Sequence, residues 1–422
     1  MSRRFGIDAH WIEASDGIPE ERFTAAELTI SIGGKIATRV DDDWSKSVRS
    51  NVRLAAYPLA LWIASSWWRL RWEPYRADPD LTWRMAHDMP TAGAGFVWPP
   101  LRLASDGEGM LCSTLPTPDR PTEPIRYLAQ LNETVPVEDV ESHLGGFIEL
   151  VLARLEALGL PKTDLHTLWK DVQSERNDPH VRGERRLEAL LGFEPEEAPR
   201  ALLDHMAELR ANVGASALDE IAPACAGPDP AKALEHIRHV AGSAGITARL
   251  QILARGDYDG PVWERGWQAA KEARDKVGVP GDIVSNETLC DCLGISTKAF
   301  NQLTQERFPI GLAVRGKRSQ RLIFRKRNPE GRRFEAARFL AEQALAPTTD
   351  TWLPTTDADT ARQKVQRAFA AEFLCPIARL EEFLNGNRSP ERVEDAASHF
   401  RVSELAIRSH LANHGLLTAG MI

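Results

Sequence analysis

A chain of 422 residues, 43% hydrophobic and 27% charged, has the composition of a folded globular protein with room for two or three domains. A net charge of −8 argues against a general nucleic-acid binder, whose affinity rests on neutralising phosphates, although a local basic patch could still act. The longest apolar run, residues 54–68, is too short for a typical membrane span and contains Pro58, so a buried helix and no membrane role are expected. The opening "MSRRFGIDAHWIEAS" lacks the apolar core of a signal peptide. Five cysteines at scattered positions, with Cys290 and Cys292 as a lone C-x-C, read as reduced thiols of a cytoplasmic protein.

In chain order, residues 1–125 read as an α+β domain. "AELTISIGGKIATRV" predicts two strands around a Gly-Gly turn. A helix is expected from about Ser47 to Trp68, and "RLRWEPYR" alternates like a strand. Seven of the twelve tryptophans fall between Trp44 and Trp98. They form either a Trp-rich core or an aromatic binding surface; Arg69, Arg71 and Arg76 read as solvated charges beside a core. "STLPTPDRPTEP", residues 113–124, is a linker candidate.

Residues 126–228 read as a helical middle region without a catalytic grouping, closed by a second linker candidate, "CAGPDPAKA". Residues 229–422 are expected to form the third domain. "PVWERGWQAAKEARDKVGV" predicts a helix, and "SNETLCDCLGISTKAFNQL" two short helices broken at Gly294. "IGLAVRGKRSQRLIFRKRNPEGRR" reads as strand, turn, strand, loop. Helices follow over 331–345 and about 359–374, and the chain closes with a helix-turn-helix-like pair. The fold class is therefore α+β, mostly helical.

The helix "GRRFEAARFLAEQAL" is introduced by Arg332, Arg333, Phe334 and Ala337. Downstream, "QKVQRAFAAEFLCP" carries Phe369, Ala370, Ala371, Leu374 and Pro376. In this order the segments resemble the ImmA/IrrE family of zinc metallopeptidases, over residues 260–418. That resemblance implies a zincin-like domain in which an H-E-x-x-H helix grips zinc with two histidines and supplies a Glu base. Here the histidine positions hold Arg338 and Glu342, the base position holds Phe339, and the acidic third-ligand position falls on Gln363. The metal chemistry reads as removed, so neither a metal nor another cofactor is expected. Arg338 and Glu342, four apart, are expected to pair at the edge of the apolar stripe of Phe334, Ala337, Ala341 and Leu345. The resemblance implies a non-catalytic regulator acting on a protein partner, in repressor control, toxin–antitoxin pairs or phage defence. A peptidase with relocated ligands and a DNA-binding regulator are the alternatives.

Two other features remain. His236 with His239, and His410 with His414, could each share a helix face, but neither pair has an evident third ligand in the sequence. Residues 313–333 hold nine Lys/Arg and one acid, Glu330. Arg315, Lys317, Arg318, Arg321, Arg325, Lys326 and Arg327 are the candidates for meeting a partner or nucleic acid, or for guarding a hairpin edge. The closing helices carry one reliable cation, Arg408, on the would-be reading helix, so packing within the domain is the expected role.

Overall fold

The structure is a computed structural model that describes residues 5–118, 124–249, 256, 258–279, 281, 283–302 and 306–417. It is mixed α+β, with small antiparallel sheets among many helices. The chain divides into two compact units, 1–203 and 204–422, instead of three regions. The reason lies in the apolar faces of the middle helices: Val140, Leu144, Phe147, Trp169 and Val172 join the same core as the N-terminal strands. The helices of residues 137–191 therefore complete the first unit.

That unit begins with β1 (Phe5–Trp11), α1 (Pro19–Phe23), β2 (Ala25–Ile32), β3 (Lys35–Ile36), β4 (Val40–Asp42), β5 (Ser47–Arg49) and β6 (Val52–Ala55). The predicted Gly-Gly hairpin joins β2 to β3, with Ile32 opposite Lys35. The helix expected from Ser47 instead starts at Ala56, after β5 and β6. Val52 and Leu54 alternate inward across from Leu28 and Ala26, a period of two. Next come α2 (Ala56–Ser65), α3 (Trp67–Trp72), α4 (Leu81–His87), β7 (Arg102–Ser105), β8 (Gly109–Thr114), β9 (Ile125–Tyr127) and β10 (Leu131–Pro136). α3 replaces the predicted strand at "RLRW". Four alternating residues cannot be told from one helical turn whose Trp67, Trp68 and Leu70 all face the core. The unit closes with α5 (Val137–Ala157), α6 (Asp164–Asn177) and α7 (Pro179–Leu191), and the division between units falls near the start of α8 (Arg200–Val213).

The second unit contains α9 (Ala215–Cys225), α10 (Pro230–Gly242), β11 (Ile246–Ala248), α11 (Val262–Lys276), α12 (Asn286–Leu293), α13 (Thr297–Asn301), β12 (Gly311–Arg315), β13 (Gln320–Ile323) and α14 (Pro329–Leu345). It ends with β14 (Trp352–Thr355), α15 (Ala361–Leu374), α16 (Ile377–Leu384), α17 (Pro390–Phe400) and α18 (Glu404–Asn413). The strands form one antiparallel sheet in the order β11-β13-β12-β14. Gly294 ends α12 in the left-handed conformation at φ 64°, which is why the two short helices break there. α15 is clasped between α14 and α11. A Cβ at Gly266 of α11 would stand 2.7 Å from both the Ala368 Cβ and the Val365 carbonyl, so glycine permits this approach.

Candidate functional site: the buried face between the two central helices

α14 starts at Pro329, whose missing N–H costs nothing at the first helical position. Its Arg-Arg lead-in is structural. Arg332 lies over the Phe300 and Phe324 rings at 5.4 and 4.4 Å. Arg333 donates to the Val284 carbonyl at 2.7 Å, to the Arg401 carbonyl at 3.3 Å and to Asn286. Arg333 thus ties α14 to the start of α12 and to the turn between α17 and α18, and Arg332 ties it to α13 and to the segment after β13.

One turn on, Arg338 is only 4% exposed. Its Nε donates to Gln366 Oε1 at 3.1 Å, and its Nη2 to the Thr356 carbonyl at 2.8 Å and to Gln363. Burial, with Arg367 nearby, pushes its pKa down to about 9, which leaves it charged at neutral pH. Glu342 is buried on the same side, but it does not pair with Arg338 as expected. Its carboxylate takes both arms of Arg362, with Arg362 Nε at 2.8 Å, and accepts from Gln366 Nε2. The correction has a simple cause: α15 presents a second arginine that reaches Glu342, while the Arg338 guanidinium points toward Gln363 and Thr356. Gln366 bridges the two, accepting from Arg338 and donating to Glu342.

Arg362 also donates to Asp350 Oδ2 at 2.7 Å and to Ser216 Oγ at 2.9 Å. Burial works against its charge, but Glu342, with Glu220 and Asp350, outweighs it and raises the Arg362 pKa above the usual value. Glu220, buried on α9, accepts from the Thr360 hydroxyl. Burial pushes its pKa up to about 7, with Arg362 opposing. Gln363 satisfies its amide fully within the protein: its Nε2 donates to the Pro354 carbonyl at 3.1 Å, and its Oε1 accepts from the Thr356 N–H at 2.9 Å.

Arg338, Glu342 and Gln363, which the sequence resemblance sets at ligand positions, are brought together on one buried face. They form a saturated hydrogen-bond network with no spare acceptor set for a cation. Phe339, which the sequence resemblance sets at the base position, is a core residue: it is 0% exposed and lies edge-to-face on Phe324 at 5.2 Å. Two further partners, Arg362 and Gln366, were not singled out in the sequence; both sit on the helix that carries Gln363, which is the one signal pointing to them.

Near the start of α14, Glu335 is a second buried carboxylate that the motif reading passed over. Its Oε2 accepts the backbone N–H groups of Arg325 and Lys326 at 2.8 and 2.9 Å. Burial raises its pKa, opposed by those N–H groups and by Arg325. A cavity of about 370 Å³ opens beside Glu335, with Arg338, Asp357, Arg367 and His410 on its walls.

The basic strip is not a continuous surface. Arg315 donates to the Pro347 and Asp350 carbonyls at 2.6 and 2.9 Å, Arg321 to the Ala241 carbonyl, and Arg325 grips Asp357 with two bonds of 2.6 and 2.7 Å. Lys317 and Arg318 at the β12–β13 turn, and Arg327, stand exposed, while Lys326 is half-buried.

In the first unit, the buried tryptophans form a core and their N–H groups are largely satisfied: Trp62 by the Met85 carbonyl at 2.8 Å, Trp68 by Glu175 at 2.7 Å, Trp98 by the Gly93 carbonyl at 2.9 Å. Trp44 is the outlier at 89% exposed. Arg69 is not solvated as expected. It is 1% exposed and holds Glu73 and Glu194 at 2.7 and 2.6 Å, because α3 turns it inward. Arg71 and Arg186 each lie over the Trp72 ring, 3.9 Å from its centroid, on the wall of a cavity of about 770 Å³.

The closing helices pack as expected, through Val393, Ala396, Phe400, Ile407 and Leu411. His410 is buried and His414 half-buried, so the would-be reading helix presents fewer polar groups than its sequence suggests. Among the described residues, no group of three metal-ligating side chains includes His236 and His239; His239 Nε2 meets Glu306 at 2.8 Å. For His410 and His414 the structure adds Glu372 of α15, which no sequence spacing could reveal. No helix of the described residues is long and apolar enough to cross a membrane. Comparison with protein-family models, with curated proteins and with solved structures finds no match for this chain.

Proposed function

We propose that this chain is a non-catalytic regulatory or interaction protein built on a degenerate ImmA/IrrE-like scaffold. The observation that carries this reading is the network of Arg338, Glu342, Arg362, Gln363 and Gln366. Where the resemblance calls for zinc, a cationic guanidinium stands hydrogen-bonded to two amide oxygens and a carbonyl. A divalent cation placed there would meet a fixed positive charge and one carboxylate already committed to Arg362, and zinc sites need at least three donors. The position of the base offers a phenyl ring in the core. The exposed Lys317, Arg318 and Arg327 are available to an acidic protein surface. Repressor control, toxin–antitoxin pairing and phage defence are the settings the resemblance favours.

The test is cleavage. The purified protein is incubated with a proteome-derived mixture of native proteins, with and without added zinc, and new chain termini are counted by mass spectrometry. The expected outcome is no zinc-dependent termini, together with recovery of an intact partner in native co-purification. Zinc-dependent termini that vanish in Glu342→Ala would overturn the reading.

A further inference from the structure

Glu372 lies in the last turn of α15, and His410 and His414 lie four residues apart at the end of α18. One donor atom from each falls within 4.8 Å of the other two. Glu372 Oε2 stands 3.2 Å from His410 Nε2. His410 is only 2% exposed, yet its Nδ1 has no hydrogen-bond partner and its Nε2 meets only that Glu372 oxygen. His414 Nε2 is likewise buried without a partner. Buried imidazole nitrogens ordinarily find partners, and here one nitrogen of each ring lies within 4.8 Å of the other and of a Glu372 oxygen.

We propose that Glu372, His410 and His414 form a binding site for a single zinc(II) ion, separate from the α14–α15 network. Two imidazoles and one carboxylate are a donor set that zinc takes with water as fourth ligand. Tetrahedral bonds of about 2.0–2.1 Å separate donors by roughly 3.3 Å, close to the Glu372–His410 spacing. The surroundings hold the ligands in place. The Ile377 N–H donates to Glu372 Oε2 at 3.1 Å, and Trp267 of α11 stacks on the His414 ring at 3.6 Å. Such outer contacts orient ligands before the ion arrives. His410 also stands on the wall of the 370 Å³ cavity. The bound ion would pin α18 to α15.

The proposal is tested on full-length, untagged, chelator-stripped protein titrated with zinc by calorimetry and with cobalt(II) by absorption. The expected result is one ion per chain at micromolar affinity or tighter, with the intense visible bands of four-coordinate cobalt. His414→Phe keeps the ring that stacks on Trp267 but removes the donor; it should keep the fold by circular dichroism and weaken binding by more than about 100-fold, since even outer-shell losses cost 10–100-fold. Glu372→Gln should weaken it as well. Absence of saturable binding by the stripped protein, or unchanged binding by His414→Phe, overturns the site. Those outcomes leave the non-catalytic reading standing. Zinc-dependent cleavage lost in His414→Phe would instead overturn that reading and leave the site intact.

Discussion

Replacing Arg362 by alanine should damage the second unit more than replacing Arg338, although only Arg338 occupies a position that the family resemblance marks. Arg338→Ala removes the donor from three acceptors. Gln363 Oε1 keeps the Thr356 N–H, so two acceptors, Gln366 Oε1 and the Thr356 carbonyl, lose this donor. At about 1–3 kcal/mol for each unsatisfied buried group, the cost is on the order of 2–6 kcal/mol. Arg362→Ala leaves Glu342 and Asp350, 2% and 1% exposed at the side chain, with their common cation gone. Breaking one buried pair costs about 3–5 kcal/mol, and here one arginine serves two carboxylates. Urea unfolding of the single variants and of the Arg362→Ala/Glu342→Ala and Arg338→Ala/Glu342→Ala doubles measures the couplings. The Arg362–Glu342 coupling should reach about 2–3 kcal/mol, while Arg338 and Glu342, joined only through Gln366, should couple by less than about 1 kcal/mol. A larger coupling for Arg338 with Glu342 would refute the assignment of Arg362 as the partner of that carboxylate.

Glu220 makes stability fall as pH rises. Its folded pKa of about 7 lies above the ordinary 4.5, so the native state holds its proton longer. The stabilisation is complete below about pH 4.5 and is lost as pH rises through 7, up to about 3 kcal/mol in all. Glu220→Gln should flatten urea stability between pH 5 and pH 8, and parallel curves for variant and parent would contradict this. Phe339→Glu should abolish folding of the second unit or cost more than about 4 kcal/mol, since it buries a charge among Phe324 and its neighbours, whereas Phe339→Leu should cost about 1 kcal/mol; thermal melts decide. Arg325→Ala should destabilise, because it breaks the two bonds to Asp357, whereas the Lys317→Gln, Arg318→Gln, Arg327→Gln triple should stay within about 0.5 kcal/mol of the parent. Equal melts for the two would mean that the strip is uniform after all.

How much of this could be read from the sequence depends on the range of the interaction. Turn and helix signals are local, so the Gly33–Gly34 hairpin, the Gly294 break and the long α14 and α15 helices were all legible. The β5–β6 pair was not, because Val52 and Leu54 sit beside an apolar helix and the combined run hides the change of period at Ala55. The two-unit division was hidden as well: an amphipathic helix such as α5 shows which face is apolar but not which core receives it. At the site, the residue types at 338, 339, 342 and 363 were plain in the sequence. Their bonding was not. Arg362 and Gln366 both reach Glu342 only because α15 lies against α14, and Gly266 is what lets α11 press α15 from its other side. Likewise the His410–His414 spacing is local, while Glu372 reaches it through the tertiary fold.

Crystals of the full-length protein grown with zinc, with anomalous diffraction recorded on both sides of the zinc edge, test the central claim most directly. The account predicts no anomalous peak between Arg338, Glu342 and Gln363, with the guanidinium density joined to Gln363 and Gln366, and a single peak among Glu372, His410 and His414. A zinc peak on the α14–α15 face, with Arg338 swung away from Gln363, would contradict it.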